Sequence, residues 1–161
     1  MLDQTKPRLA SWLNTAFGIA LCLILGSLSG FIAGSGPSDW YNQLNQPVFT
    51  PPPWVFGPVW TVLYIMIGIA AAYLWQRKQS EQSLFRLFIL QLVLNLIWSP
   101  VFFGLHSILS AAVIIVILWM TLIRLLLKAW SNHRRVTYLL LPYFVWVSFA
   151  MVLNISLVAL N

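Results

Sequence analysis

The chain has 161 residues, 60% apolar and 7% charged, a balance far outside that of soluble globular domains. Nine Lys and Arg against three Asp and Glu leave a net charge of +6; in a soluble chain this would suggest nucleic acid, but here it reports loop orientation at a membrane, so no nucleic-acid partner is expected. The single cysteine, Cys22, excludes an intramolecular disulfide, and two histidines with three acids leave no recognisable metal-ligand spacing.

The expected architecture is all-α, a polytopic membrane protein built as one five-transmembrane-helix bundle. A helix crosses the hydrocarbon core with about 20 residues. The first span is predicted over 12–33; the apolar run behind Lys6 and Arg8 is too long for a signal-peptide core and should stay as an anchor. Along it Gly18, Cys22, Gly26, Gly30 and Gly34 recur every fourth residue. Such a ridge of small side chains lets another helix approach closely, inside the bundle or, as the alternative, across a homodimer seam.

Residues 34–53 then form a loop, which runs into the second span at 54–75. Across that junction residues 40 to 64 read WYNQLNQPVFTPPPWVFGPVWTVLY, with no charge, five prolines and seven aromatic rings. Proline stiffens the chain and removes donors, so the run predicts a rigid loop feeding a helix. Its rings fit either an interfacial aromatic belt or a ring-lined entrance for a flat apolar ligand.

From residue 87 to 123 no charge occurs for 37 residues, nearly twice what one crossing needs at about 1.5 Å per residue. A break at Gly104-Leu105-His106-Ser107 gives a third helix over 83–103 and a fourth over 107–128; the fifth covers 136–160. With this count all nine cations fall on one face, whereas merging helices three and four would throw Arg124 to Arg135 onto the other. The chain is therefore expected to be an integral, multi-pass membrane protein with a cytoplasmic N-terminus and the C-terminus opposite.

Polar residues inside spans need partners and invite a functional reading. Asn95 lies mid-helix with Gln91 one turn before it and Trp98 and Phe102 within two turns. Tyr143, Trp146, Ala150 and Asn154 follow one another on the fifth helix at helical spacing, and Trp60 and Tyr64 do so on the second. Three helices presenting rings and an amide can line one apolar cavity with a few orienting groups; interhelical hydrogen bonding as packing glue is the plainer alternative. Pro100 and Pro142 should bend their helices. Ser35 with His106 makes a poor serine–histidine pair, lying near helix ends. His106 as a haem ligand is less favoured than His106 as a solvent-facing turn residue, and His133 is expected to be a solvated interfacial side chain.

The run at 40–64, followed by QLVLNLIWSPVFFG at 91–104 and LPYFVWVSFAMVLN at 141–154, resembles the translocator protein family, the tryptophan-rich sensory proteins. The resemblance covers roughly residues 26–158. It implies a five-helix bundle, often dimeric, whose pocket opens toward the first loop and takes tetrapyrroles, isoquinoline and benzodiazepine drugs and, in animals, cholesterol. Carried over by position, the pocket tryptophans fall on Trp60 and Trp146, the pocket asparagine on Asn95, the loop pair on Trp40 and Tyr41, and a small residue that controls steric access on Ala150. On this reading the loop is a lid, with Trp40 and Tyr41 inward, over walls of Trp54, Trp60, Asn95, Phe102, Tyr143 and Trp146. Tyr64 and Trp98 complete the expected ligand-binding set.

Protoporphyrin IX or haem is then a ligand rather than an obligatory cofactor. A sensor or receptor role stands first. A light-dependent porphyrin-degrading enzyme, with Trp60 and Trp146 as redox partners, and a transporter of porphyrins or other lipophilic metabolites are the alternatives. The family's animal cholesterol motif needs a basic residue late in the fifth helix, and none follows Arg135, so sterol binding is not carried over.

Overall fold

The structure, a computed structural model, describes residues 6–34 and 39–161; Ser35 and the side chains of Lys6 and Arg8 lie outside the described part. Five long apolar helices form membrane spans. They are α1 (Lys6–Ile32), α3 (Phe56–Trp75), α4 (Gln82–Ser99), α5 (Ile108–Asn132) and α6 (Arg134–Leu160), with a short helix α2 (Asp39–Gln43) in the first loop. A 3-10 turn, Pro53–Val55, leads into α3. Pro53 and Pro58 sit where a helix start leaves donors unpaired anyway, so a proline costs nothing there.

Successive spans run antiparallel: the later connections are short, and α1 and α3 pair with Gly18 against Gly68 and Gly26 against Tyr64. Around the bundle the order is α1, α3, α6, α5, α4, with α4 returning to α1. The α1–α3 seam explains the small-residue ridge. A Cβ on Gly18 would lie 2.6 Å from the Gly68 carbonyl oxygen, one on Gly68 would lie 2.5 Å from the Ile19 Cα, and one on Gly26 would run into the Tyr64 ring. Backbone therefore meets backbone, and dispersion replaces a hydrophobic drive that lipid cannot supply. Gly30 has open space where its side chain would be, so this upper part of the ridge is not occupied by α3.

Two connections differ in detail from the sequence expectation. The fourth helix runs on to Asn132 and α6 starts at Arg134, because Lys128 and its neighbours are compatible with helix and only His133, with non-helical φ and ψ of −133° and 47°, breaks it. The α4 end does not simply kink at Pro100: residues Pro100–Gly104 form a π-turn, closed by Leu105 N–H to the Pro100 carbonyl at 2.9 Å. His106 follows with φ 52°, a left-handed residue that reverses the chain. Trp12, Trp75 and Trp130 are exposed near helix ends, as belt residues are.

His133 is not simply solvated. Its Nε2 lies 3.3 Å from Glu81 Oε1 with the imidazole only 11% exposed, and its Nδ1 faces the Tyr73 hydroxyl at 3.5 Å. It clasps the α3–α4 turn to the α5–α6 break.

Candidate functional site

On the lid side of the bundle the helices part around a cavity of about 740 Å³, walled by α1, α3, α4, α6 and the first loop. Tyr41, Trp54, Trp60, Tyr64, Asn95, Trp98, Phe102, Trp146 and Ala150 all line it. Two further residues singled out in the sequence do not. Tyr143 is fully buried behind the wall, its ring 6.2 Å from that of Trp60. Trp40 turns sideways to stack on His106, centroids 4.4 Å apart at 20°, and meets Phe102 edge-on.

The lid is held by rings and by amides. Tyr41 packs edge-to-face on Phe102 and Phe103, and burial pushes its phenol pKa up. Gln46 donates from Nε2 to the Tyr41 carbonyl at 3.0 Å. Farther along, the Asn45 N–H donates to Asn161 Oδ1 at 2.9 Å, Asn45 Nδ2 to the Leu160 carbonyl at 3.2 Å, and Asn161 Nδ2 back to the Asn45 carbonyl at 3.2 Å. The loop is thus pinned to the end of α6. His106, exposed and stacked under Trp40, is a docking surface for the lid and does not line the cavity.

The walls combine rings from α3, α4 and α6 with two amides, Asn95 on α4 and Asn154 on α6, whose side-chain oxygens accept hydrogen bonds from ring residues. On α3 the rings of Trp60 and Tyr64 lie 5.4 Å apart, and the Tyr64 hydroxyl donates to Asn95 Oδ1 on α4 at 2.7 Å. Trp98 stacks on Phe102 at 5.2 Å, while its Nε1 donates to Asn154 Oδ1 on α6 at 3.2 Å. Asn154 in turn donates to the Ile108 carbonyl at 3.3 Å. Trp146 meets Phe56 edge-on at 5.8 Å and Phe149 at 5.6 Å. These side-chain bonds tie α3, α4, α5 and α6 together around the space without filling it.

Sequence reasoning missed the α1 wall. Gly26, Ser29, Gly30 and Ala33 line the cavity, and Ser29 Oγ donates to the Leu96 carbonyl at 2.7 Å, which closes α1 onto α4. The small-residue ridge was the available signal, since a helix without side chains leaves room as readily as it lets a neighbour approach. Exposed wall residues Ser27, Gly57 and Thr61 bring one side of the cavity to the α1/α3 surface. Among the described residues, no charged side chain and no His, Cys or Met lines it, and no cluster of three metal-ligating side chains occurs.

Comparison with known proteins agrees with this arrangement. Residues 18–160 match the model of the TspO/MBR family. The chain is 40% identical over 154 residues to the tryptophan-rich protein TspO of Chlorobaculum tepidum, covering 92% of this chain and 96% of that one. It is 36% identical over 150 residues to the protein of the same name from Archaeoglobus fulgidus, at 92% and 97% coverage. With the human translocator protein it shares 32% identity over 145 residues, 86% of this chain and 85% of the other. A five-span bundle with a tryptophan-walled cavity under its first loop, matched over nearly its whole length, is an integral membrane protein of the TspO/MBR family.

Proposed function

We propose that this protein is a membrane receptor for flat, lipophilic small molecules, with a tetrapyrrole of the protoporphyrin type as the leading ligand. One observation carries the reading: a cavity of about 740 Å³ whose wall includes Trp54, Trp60, Trp98 and Trp146 and, among the described residues, no charged side chain. That volume lies within the roughly 300–1,000 Å³ typical of small-molecule sites, and indole faces suit a planar π-system. Asn95 is the orienting group, since Tyr64 occupies its oxygen and its amide N–H groups can donate to an acceptor on the ligand.

The donor set favours a metal-free macrocycle over haem. Among the described wall residues a haem iron would find only the phenols of Tyr41 and Tyr64, and the latter is spent on Asn95. Carboxylate substituents would have to reach water past the exposed Asn42, Gln46 and Trp54, because no cation among the described residues lines the interior. Toward the opposite end, Leu74, Leu84, Leu125, Val136 and Leu140 are completely buried; a cavity with an apolar plug beneath it favours a receptor over a through-going transporter.

The cations at the turns opposite the lid favour an orientation with the N-terminus on the cytoplasmic side and the lid on the other. A homodimer belongs to the same reading, and since Gly18 and Gly26 are occupied by α3, its seam falls on another part of the surface.

Titration of purified protein with protoporphyrin IX, followed by tryptophan quenching, tests the proposal. Saturable quenching that weakens about tenfold or more in Trp146→Ala is expected, from loss of roughly 1.5 kcal/mol of ring contact. Absent saturation, or an unchanged affinity in the variant, contradicts it. Illuminating the same complex reads whether Trp60 and Trp146 also support photochemical breakdown, which would appear as bleaching lost when both are changed to Phe.

A further inference from the structure

Among the described residues the cavity is left open toward one face of the bundle, the seam between α1 and α3. Its wall there consists of Leu23, Ser27 and Gly30 from α1 and Gly57 and Thr61 from α3, and Ser27, Gly57 and Thr61 are exposed. Two glycines keep the seam apart. Outside the adjoining backbone, no described atom lies within 4 Å of where a Cβ would stand on Gly30 or on Gly57. Apolar carbons pack at about 3.5–4.0 Å, so a methylene fits beside either backbone. Farther from the lid the seam closes, where the Tyr64 ring takes up the space against Gly26.

What faces this opening is hydrocarbon. Both rims lie within membrane spans, Trp12–Ile32 and Pro53–Trp75, and Thr61 is eight residues, about 12 Å, inside the second. Gly18 packs against Gly68 and Ala72, and at equal rise along antiparallel helices that pairing brings Ser27 level with Thr61. The side chains flanking this level, Ile24, Leu28 and Phe31 on α1 and Val62 on α3, are apolar and exposed, as a lipid-facing surface is.

The interior offers water little. The Ser29 hydroxyl donates to the Leu96 carbonyl, Tyr64 to Asn95 Oδ1, Trp98 Nε1 to Asn154 Oδ1, and Thr61 to the Gly57 carbonyl. Each of these groups has committed its donor within the protein, whereas a retained water needs two to four polar partners. We propose that the α1/α3 seam on the lid side of Gly26 is a lateral opening to the bilayer, and that a phospholipid acyl chain from the surrounding leaflet lies through it into the cavity when no other ligand is bound. The chain restores dispersion contacts that the wall of an empty cavity forfeits, and its head group stays at the interface. The opening stands whether or not the cavity takes a tetrapyrrole; a planar guest and the chain compete for the same space.

Intermolecular NOEs from acyl-chain methylenes test this, using protein deuterated except at its Ala and Leu methyls, in phosphatidylcholine nanodiscs without added ligand. Exposed Leu28 is the positive control, and Leu122 and Leu125, buried completely on α5, are the negative ones. Cross-peaks to the Ala150 and Leu153 methyls, across the cavity on α6, are expected. They should be lost in the Gly30→Leu/Thr61→Leu double variant, which fills the seam from both sides, while Leu28 keeps its own. The variant should fold, since Gly30 has open space beside it and the Thr61 hydroxyl bonds within its own helix at 2.9 Å. Chain contacts confined to outward-facing methyls in the wild type, water contacts in their place at Ala150 and Leu153, or cross-peaks that survive in the double variant would overturn the proposal.

Discussion

The two ends of this bundle are built from the same helices and behave oppositely. At the basic end, α1 and α3 meet backbone to backbone through Gly18 and Gly68, and leucines from α3, α4 and α5 are buried completely. At the lid end the same pair separates. Gly30 faces open space, and α3 begins just after three consecutive prolines, Pro51 to Pro53. In lipid, apolar side chains gain little by leaving the solvent, so close approach decides stability. Small residues opposite each other close the bundle; small residues opposite rings leave a cavity.

Substitutions at the two ends should therefore fail in different ways. The largest effect is expected for Gly68→Leu, whose side chain must displace the α1 backbone at Ile19; unfolding in an SDS titration should show a loss of about 3 kcal/mol, the upper range for overpacking. Tyr64→Phe leaves Asn95 Oδ1 without its donor at 2.7 Å and should cost about 1–3 kcal/mol by the same measurement.

Ala150→Leu reverses the pattern. It fills the cavity from α6 and should weaken a flat ligand about tenfold, roughly 1.4 kcal/mol, with the melting temperature unchanged or raised. Asn45→Ala should have the smallest effect. It removes the side-chain bond to the Leu160 carbonyl, worth about 1 kcal/mol, and should speed ligand release a fewfold in stopped-flow quenching while leaving unfolding of the helices unaffected.

Much of this contrast can be read from the sequence, and the part that cannot has a definite cause. Span number follows from the 37 uncharged residues and from cations that gather on one face only if that run is divided, because bilayer thickness is a hard ruler. Trp60, Asn95 and Trp146 are legible as rings and an amide at helical spacing. Trp40 and Tyr41 are not separable in that way: adjacent residues on α2 point about 100° apart, and only the docked position of that short helix sends Tyr41 to the cavity and Trp40 to His106. The α1 wall is illegible for the opposite reason, since glycine and alanine carry no chemistry to notice. The role of His133 depends on Glu81, 52 positions away in sequence, whose proximity only the folded turns create.

The most direct measurement of where a planar guest sits is the set of intermolecular NOEs between bound protoporphyrin IX and methyl-labelled protein. The account predicts contacts to the Ala150, Leu153 and Leu23 methyls, all on the cavity wall. Contacts confined to residues beside Trp12, Trp75 and Trp130, at the outer surface, would contradict it.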